Sequence, residues 1–148
     1  MPRSDSFSAQ PKPETATPSN LHRVHMDQVS TPNAPQPSGH YSQAIRANGF
    51  VFVSGQLPRD PRTGEIPARV ADQTRRALEN VRQVLLAAGS DLEHIVSLSV
   101  YVTDMTFWPE VDAALATTLG AHKPARIVAV SPALHFGNVE VQAIAVTP

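Results

Sequence analysis

Val139-Glu-Val-Gln-Ala-Ile-Ala-Val146 decides how this chain folds. Strand geometry sends successive side chains to opposite faces. Val139, Val141, Ala143 and Ala145 then point one way, and Glu140, Gln142, Ile144 and Val146 the other. Both faces are substantially apolar, so this strand needs cover on both sides. Working back from it, Ala125 to Val130 is a second apolar strand. Thr106 to Leu119 reads as a helix, with Pro109 tolerated in its first turn and Gly120 ending it. Ile95 to Val102 is a further strand. From Val70 to Ala88, the residues Thr74, Ala77, Leu78, Val81, Leu85 and Ala88 recur at the spacing of one helix face, and Gly89 sits where a C-terminal cap belongs.

Gly49-Phe-Val-Phe-Val-Ser-Gly55 is β-rich, and Asp60-Pro-Arg-Thr-Gly64 is a turn. Regular structure begins near Tyr41, with a short edge strand within His22–Val29 ahead of it. The expected order is strand, strand, helix, strand, helix, strand, strand. That is an α+β layer in which two helices cover one face of a mixed sheet. The second apolar face implies a partner subunit. Residues 1 to about 20 are rich in Ser, Thr, Pro and Gln. Such a segment cannot bury enough surface to offset its ordering entropy, so it reads as a flexible tail before a single domain over residues 21–148.

Composition narrows the function classes. Of 148 residues, 41% are hydrophobic, which suits one globular domain. A formal net charge of -1 gives no electrostatic footprint for nucleic acid. No run of about 18 apolar residues would span a membrane, and the N-terminus lacks the apolar stretch of a secretory signal. The cytoplasm is the default location, although the absence of cysteine fits any compartment. That absence also removes disulfides, thiolate nucleophiles and thiolate metal sites. The six histidines match no metal-site spacing and read as surface or incidental. Ser54 lies in Val-Ser-Gly-Gln, outside any nucleophile elbow, and no phosphate loop is present.

Two charges interrupt apolar strands. Arg126 opens Pro124-Ala-Arg-Ile-Val-Ala-Val130, and Glu140 breaks the last strand. Each reads either as a solvent-facing charge near a strand end or as site machinery. In the second case the arginine clamps a carboxylate by two points and the glutamate handles protons and water. Spacing alone leaves both open.

Gly39-His-Tyr-Ser-Gln-Ala-Ile45, Val53-Ser-Gly-Gln56, Asp60-Pro-Arg-Thr-Gly-Glu65, Gln73 through Asn80, Pro124-Ala-Arg126 and the last strand occur in a series. Together they resemble the Rid/YjgF family, the reactive intermediate deaminases, from about Ser30 to the end. The resemblance implies a chorismate-mutase-like fold and a homotrimer whose sheets form a central barrel, with active sites in clefts between subunits. It implies hydrolysis of a small 2-imino acid to a 2-keto acid and ammonia. Arg126 would hold the substrate carboxylate, and Glu140 would activate water. Tyr41 and Ser54 would line the pocket, with Gly55 and Val128 offering backbone groups. A protonated imine is already electrophilic, so no metal or organic cofactor is called for.

The chain also departs from that pattern. His40 stands where proline is common, and Asp112 where the deaminase branch usually has asparagine. Thr118-Leu119 replace a frequent aromatic pair. If Asp112 faces the pocket, its charge opposes a second carboxylate near Arg126. The altered helix around Trp108 and Asp112 favours an alternative substrate, a larger enamine such as a 2-aminomuconate-like catabolite. Two further alternatives are a ligand-binding trimer without turnover and RNA cleavage, the latter opposed by the near-neutral charge.

Overall fold

Residues 25–148 are described by a computed structural model. The tail read over residues 1 to about 20, and the start of the edge strand at His22, lie outside the described residues. Six strands and two helices follow one another as β1 (Met26–Val29), β2 (Ala44–Ala47), β3 (Phe50–Gln56), α1 (Val70–Ala87), β4 (Ile95–Val102), α2 (Trp108–Leu119), β5 (Ala125–Val130) and β6 (Val139–Val146). They form one mixed sheet in the order β1-β2-β3-β6-β4-β5. Only the β4–β5 pair is parallel; the other neighbours are antiparallel. The α+β reading holds.

β2 corrects the expected order. A four-residue Ala-Ile-Arg-Ala strand shows no apolar run, yet it is hydrogen-bonded to both β1 and β3. Asn48 and Gly49 join it to β3 with φ values of 50° and 79°. Both central residues of a two-residue type I′ hairpin need positive φ, which is why Asn-Gly is the favoured pair there.

α1 buries the stripe read from the sequence, with Ala77, Leu78, Val81 and Leu85 fully enclosed. It ends where Gly89 takes φ 82°. The Gly89 N–H donates to Leu86 O and the Ser90 N–H to Leu85 O, so the last turn closes as a Schellman motif. α2 adds Val111 and Leu115 to the same core, opposite Leu98, Val100, Val102, Val139, Val141 and Ala143. The helices therefore cover one sheet face. On the other, Phe50 and Phe52 lie with ring centroids 6.2 Å apart, and Ile127 is 61% exposed. This uncovered apolar face is the one the alternation in β6 anticipates. Among the described residues no helix is long and apolar enough to cross a membrane.

Candidate functional site

The proposed residues fall into two groups, and the sheet register explains why. Arg126 on β5 lies opposite Leu98 of β4, a core residue, so its side chain starts on the helix face. Glu140 on β6 lies opposite Tyr101 of β4 and alternates with buried Val139 and Val141, so it starts on the open face. The two are three residues apart along β4 and two strand spacings apart across it. That is about 10 Å in each direction, on opposite sides of the sheet. Within one chain they cannot meet around a small molecule.

The first group sits at the sheet edge. One turn of α2 brings Trp108 and Asp112 onto the same side of the helix, facing β5. Arg126 Nη1 donates to Asp112 Oδ1 at 2.8 Å. The Arg126 guanidinium lies over the Trp108 ring, 4.6 Å from its centroid, a cation–π contact that fixes the plane of the fork. Val128 follows two residues on, on the same face and packed against the core. A cavity of about 420 Å³ opens beside the pair, floored by Leu98, Leu115 and Leu119 and rimmed by His122 and Lys123. The His122 Nε2 lies 2.7 Å from Ile95 O and ties the loop before β5 to the start of β4. The histidine expected to be incidental is thus a structural tie.

The second group is built around a glycine. The β3–β6 register slips between Val53 and Gln56. In that irregular stretch the Ser54 hydroxyl donates to Ser42 O at 2.6 Å and the Ser54 N–H to Gln43 O at 2.9 Å. Gly55 then lies directly against the Glu140 carboxyl. A Cβ at Gly55 would collide with Glu140 Oε1 and stand 3.1 Å from its Cδ. Burial raises the Glu140 carboxyl above the ordinary carboxylate range, and nearby His135 opposes that shift. A half-buried carboxyl of raised affinity for protons suits a general base. Tyr41 is exposed three residues before β2, with Gly39 against its ring.

Buried amides hold this group in place, and sequence reasoning passed over them. Gln43 is 2% exposed. Its Oε1 accepts from Thr31 N–H at 2.7 Å, and its Nε2 donates to the carbonyls of Thr31, Ala34 and Pro35. Gln36 Nε2 also donates to Thr31 O and Ala34 O, so the loop that leads into Tyr41 is folded around these two amides. Gln73 accepts from the Asn138 N–H at 2.8 Å, which anchors the entry to β6 two residues before Glu140. Asn80 donates to Leu57 O and Arg59 O, just after Gly55. Gln43, Gln73 and Asn80 each lie inside one of the motifs quoted from the sequence. The available signal was an amide at an otherwise apolar position.

Among the described residues no cluster of three or more His, Asp or Glu could hold a metal ion. The family described as Endoribonuclease L-PSP matches residues 31–147. A RutC family protein of Pyrococcus horikoshii is 44% identical over 119 residues, 79% of this chain and 94% of its own length. The 2-iminobutanoate/2-iminopropanoate deaminase of Escherichia coli (strain K12) is 38% identical over 122 residues, 80% of this chain and 95% of that enzyme. The solved structure of the E. coli YjgF gene product matches with a TM-score of 0.78 at 36% identity, over 82% of this chain and 99% of that one.

Proposed function

Since this chain belongs to the Endoribonuclease L-PSP (YjgF) family, we propose that it hydrolyses small 2-imino acids to 2-keto acids and ammonia, in sites that two copies complete between them. One observation carries this reading: Arg126 and Glu140 lie on opposite faces of one sheet, too far apart to serve one small substrate. A neighbouring copy supplies the missing half. Arg126, Trp108, Asp112 and Val128 would come from one subunit, and Tyr41, Ser54, Gly55 and Glu140 from the next. The exposed Phe50, Phe52 and Ile127 are the surface such an assembly would bury, and a closed trimer around a central barrel is the form we assign to it.

The chemistry follows from the groups. Arg126 holds the substrate carboxylate. Glu140 takes a proton from a water as the water oxygen bonds to the iminium carbon and the C=N π pair moves to nitrogen. That proton passes to the nitrogen. The carbinol oxygen then gives up its own proton to Glu140 as its electron pair forms C=O, and the C–N bond pair leaves with ammonia. The proton is handed on to give a 2-keto acid and ammonium. No oxidant or reductant is consumed. The similarity to the E. coli deaminase supports this choice of substrate. The family's description also names an endoribonuclease, and a net charge of -1 gives little electrostatic basis for holding RNA.

The test is turnover of freshly generated imines, followed as ammonia or keto acid, for Arg126→Ala and Glu140→Gln alone and refolded together. Arg126→Ala alone is expected to be inactive, and Glu140→Gln alone to be slowed by about 10²-fold or more. In a random equal mixture a site works when its Arg side comes from the Glu140→Gln chain (one half) and its Glu side from the Arg126→Ala chain (one half). Roughly a quarter of wild-type activity then returns. Wild-type protein that releases no ammonia from any imine refutes the deaminase. Active wild type with no recovery in the mixture refutes the shared site.

A further inference from the structure

Asp112 makes the Arg126 clamp different from a bare arginine. A guanidinium offers two edges to a carboxylate, Nη1 with Nη2 at its end and Nε with Nη2 at its side. Asp112 Oδ1 already occupies Nη1 at 2.8 Å, and the Trp108 ring covers one face. Among the described residues Nε and Nη2 make no hydrogen bond. Both side chains are accessible, at 38% for Arg126 and 52% for Asp112, so a ligand can reach the pair. An incoming carboxylate therefore takes the Nε–Nη2 edge while Asp112 stays in place. Two carboxylates then share one cation, and the cluster carries an excess negative charge that a lone keto acid cannot relieve. A ligand whose cationic nitrogen is bonded to the carbon next to its carboxylate does relieve it. The carboxylate sits on Arg126, the nitrogen donates to Asp112, and the four charges alternate in sign.

We propose that the Asp112–Arg126 pair selects zwitterionic ligands, 2-iminium or 2-ammonium carboxylates, over simple 2-keto acids. This rests on the functional reading above and sharpens it. The site would hold the protonated imine and release the keto acid as soon as its nitrogen has gone.

The experiment is calorimetric titration of wild type and Asp112→Asn with L-2-aminobutyrate, a stable zwitterion, and with 2-oxobutyrate, an anion of similar size. Wild type is expected to bind the amino acid about tenfold or more tightly than the keto acid, the size of one charge-assisted contact. Asp112→Asn should close that gap, chiefly by binding 2-oxobutyrate better. The wild-type preference can be measured without any variant, so a misfolded Asp112→Asn does not shield the idea. Wild type that prefers 2-oxobutyrate, that binds neither ligand, or whose preference survives in Asp112→Asn overturns the proposal. Imine turnover assayed in parallel separates the two readings. Preference without turnover sinks the deaminase alone, and turnover without preference sinks the zwitterion selection alone.

Discussion

Gly55→Ala isolates the geometry of the second half-site. Gly55 does not occupy the left-handed region, so alanine fits the backbone, and the clash falls on one flexible side chain. Glu140 Oε1 must retreat by about 1 Å to regain ordinary van der Waals contact. Moving Glu140 off its preferred rotamer costs about 0.5–1.5 kcal/mol. Replacing glycine where alanine fits the backbone returns about 0.4–1 kcal/mol through the unfolded chain. The two nearly cancel, so global stability is expected to stay within about 1 kcal/mol of wild type. Catalysis has no such compensation. A displacement of about 1 Å in a reacting group lowers turnover by about 10²-fold. The assay pairs urea unfolding with imine turnover for Gly55→Ala, Glu140→Gln and the double variant. Because both changes act through the same carboxyl, the double variant should be no slower than Glu140→Gln alone. Gly55→Ala with wild-type turnover, or a double variant that multiplies the two losses, would refute the reasoning.

Glu140→Gln should melt above wild type at pH 7. The folded carboxyl binds its proton more tightly than its ordinary value of 4.5 implies. Its favourable contribution is therefore present below that value and lost as pH rises through the folded pKa, so wild type carries the cost of the charge at neutral pH. The difference should shrink as pH falls through the folded value towards 4.5 and be essentially gone below it, and a gap that widens on acidification would contradict the assigned cause. Gln43→Ala leaves the Thr31 N–H and the Pro35 carbonyl without a side-chain partner, while the Thr31 and Ala34 carbonyls keep Gln36 Nε2, and is expected to cost about 2–4 kcal/mol in urea unfolding. A cost under about 0.5 kcal/mol would mean that the loop ahead of Tyr41 is held by something else.

Long elements with one period were legible in the sequence. Ile95–Val102, Ala125–Val130 and Val139–Val146 coincide with β4, β5 and β6, and the stripe from Thr74 to Ala88 is the buried face of α1. β2 escaped notice because four residues cannot establish a period. Its signal lay in the turn that follows, Asn48-Gly49, and not in the strand. The candidate site was legible by residue type more than by position. Alternation in β6 separated Glu140 from Val139 and Val141, and the burial of those two valines under the helices is what puts Glu140 on the open face. The side taken by Arg126 depends on the parallel register with β4, and no residue of β5 announces it. The pairing of Asp112 with Arg126 depends in turn on the rotational phase of α2 over that strand, which a twelve-residue helix with a modest apolar stripe leaves open.

The sheet order also bears on how this chain comes to be folded. β6, the last strand in sequence, lies in the middle of the sheet and joins β1-β2-β3 on one side to β4-β5 on the other. Phe50 meets Val146, and the Gly49 carbonyl accepts from the Thr147 N–H, across 98 residues of chain. Until β6 inserts, β3 and β4 each present an open edge of the kind that invites pairing between molecules. The loop closure that joins them comes late and is entropically costly, which makes folding slow for a domain of this size. A nascent chain thus carries two half-sheets that cannot seal until synthesis reaches its final strand. Crowding of unfinished chains, more than instability of the finished one, is where this fold is vulnerable to aggregation.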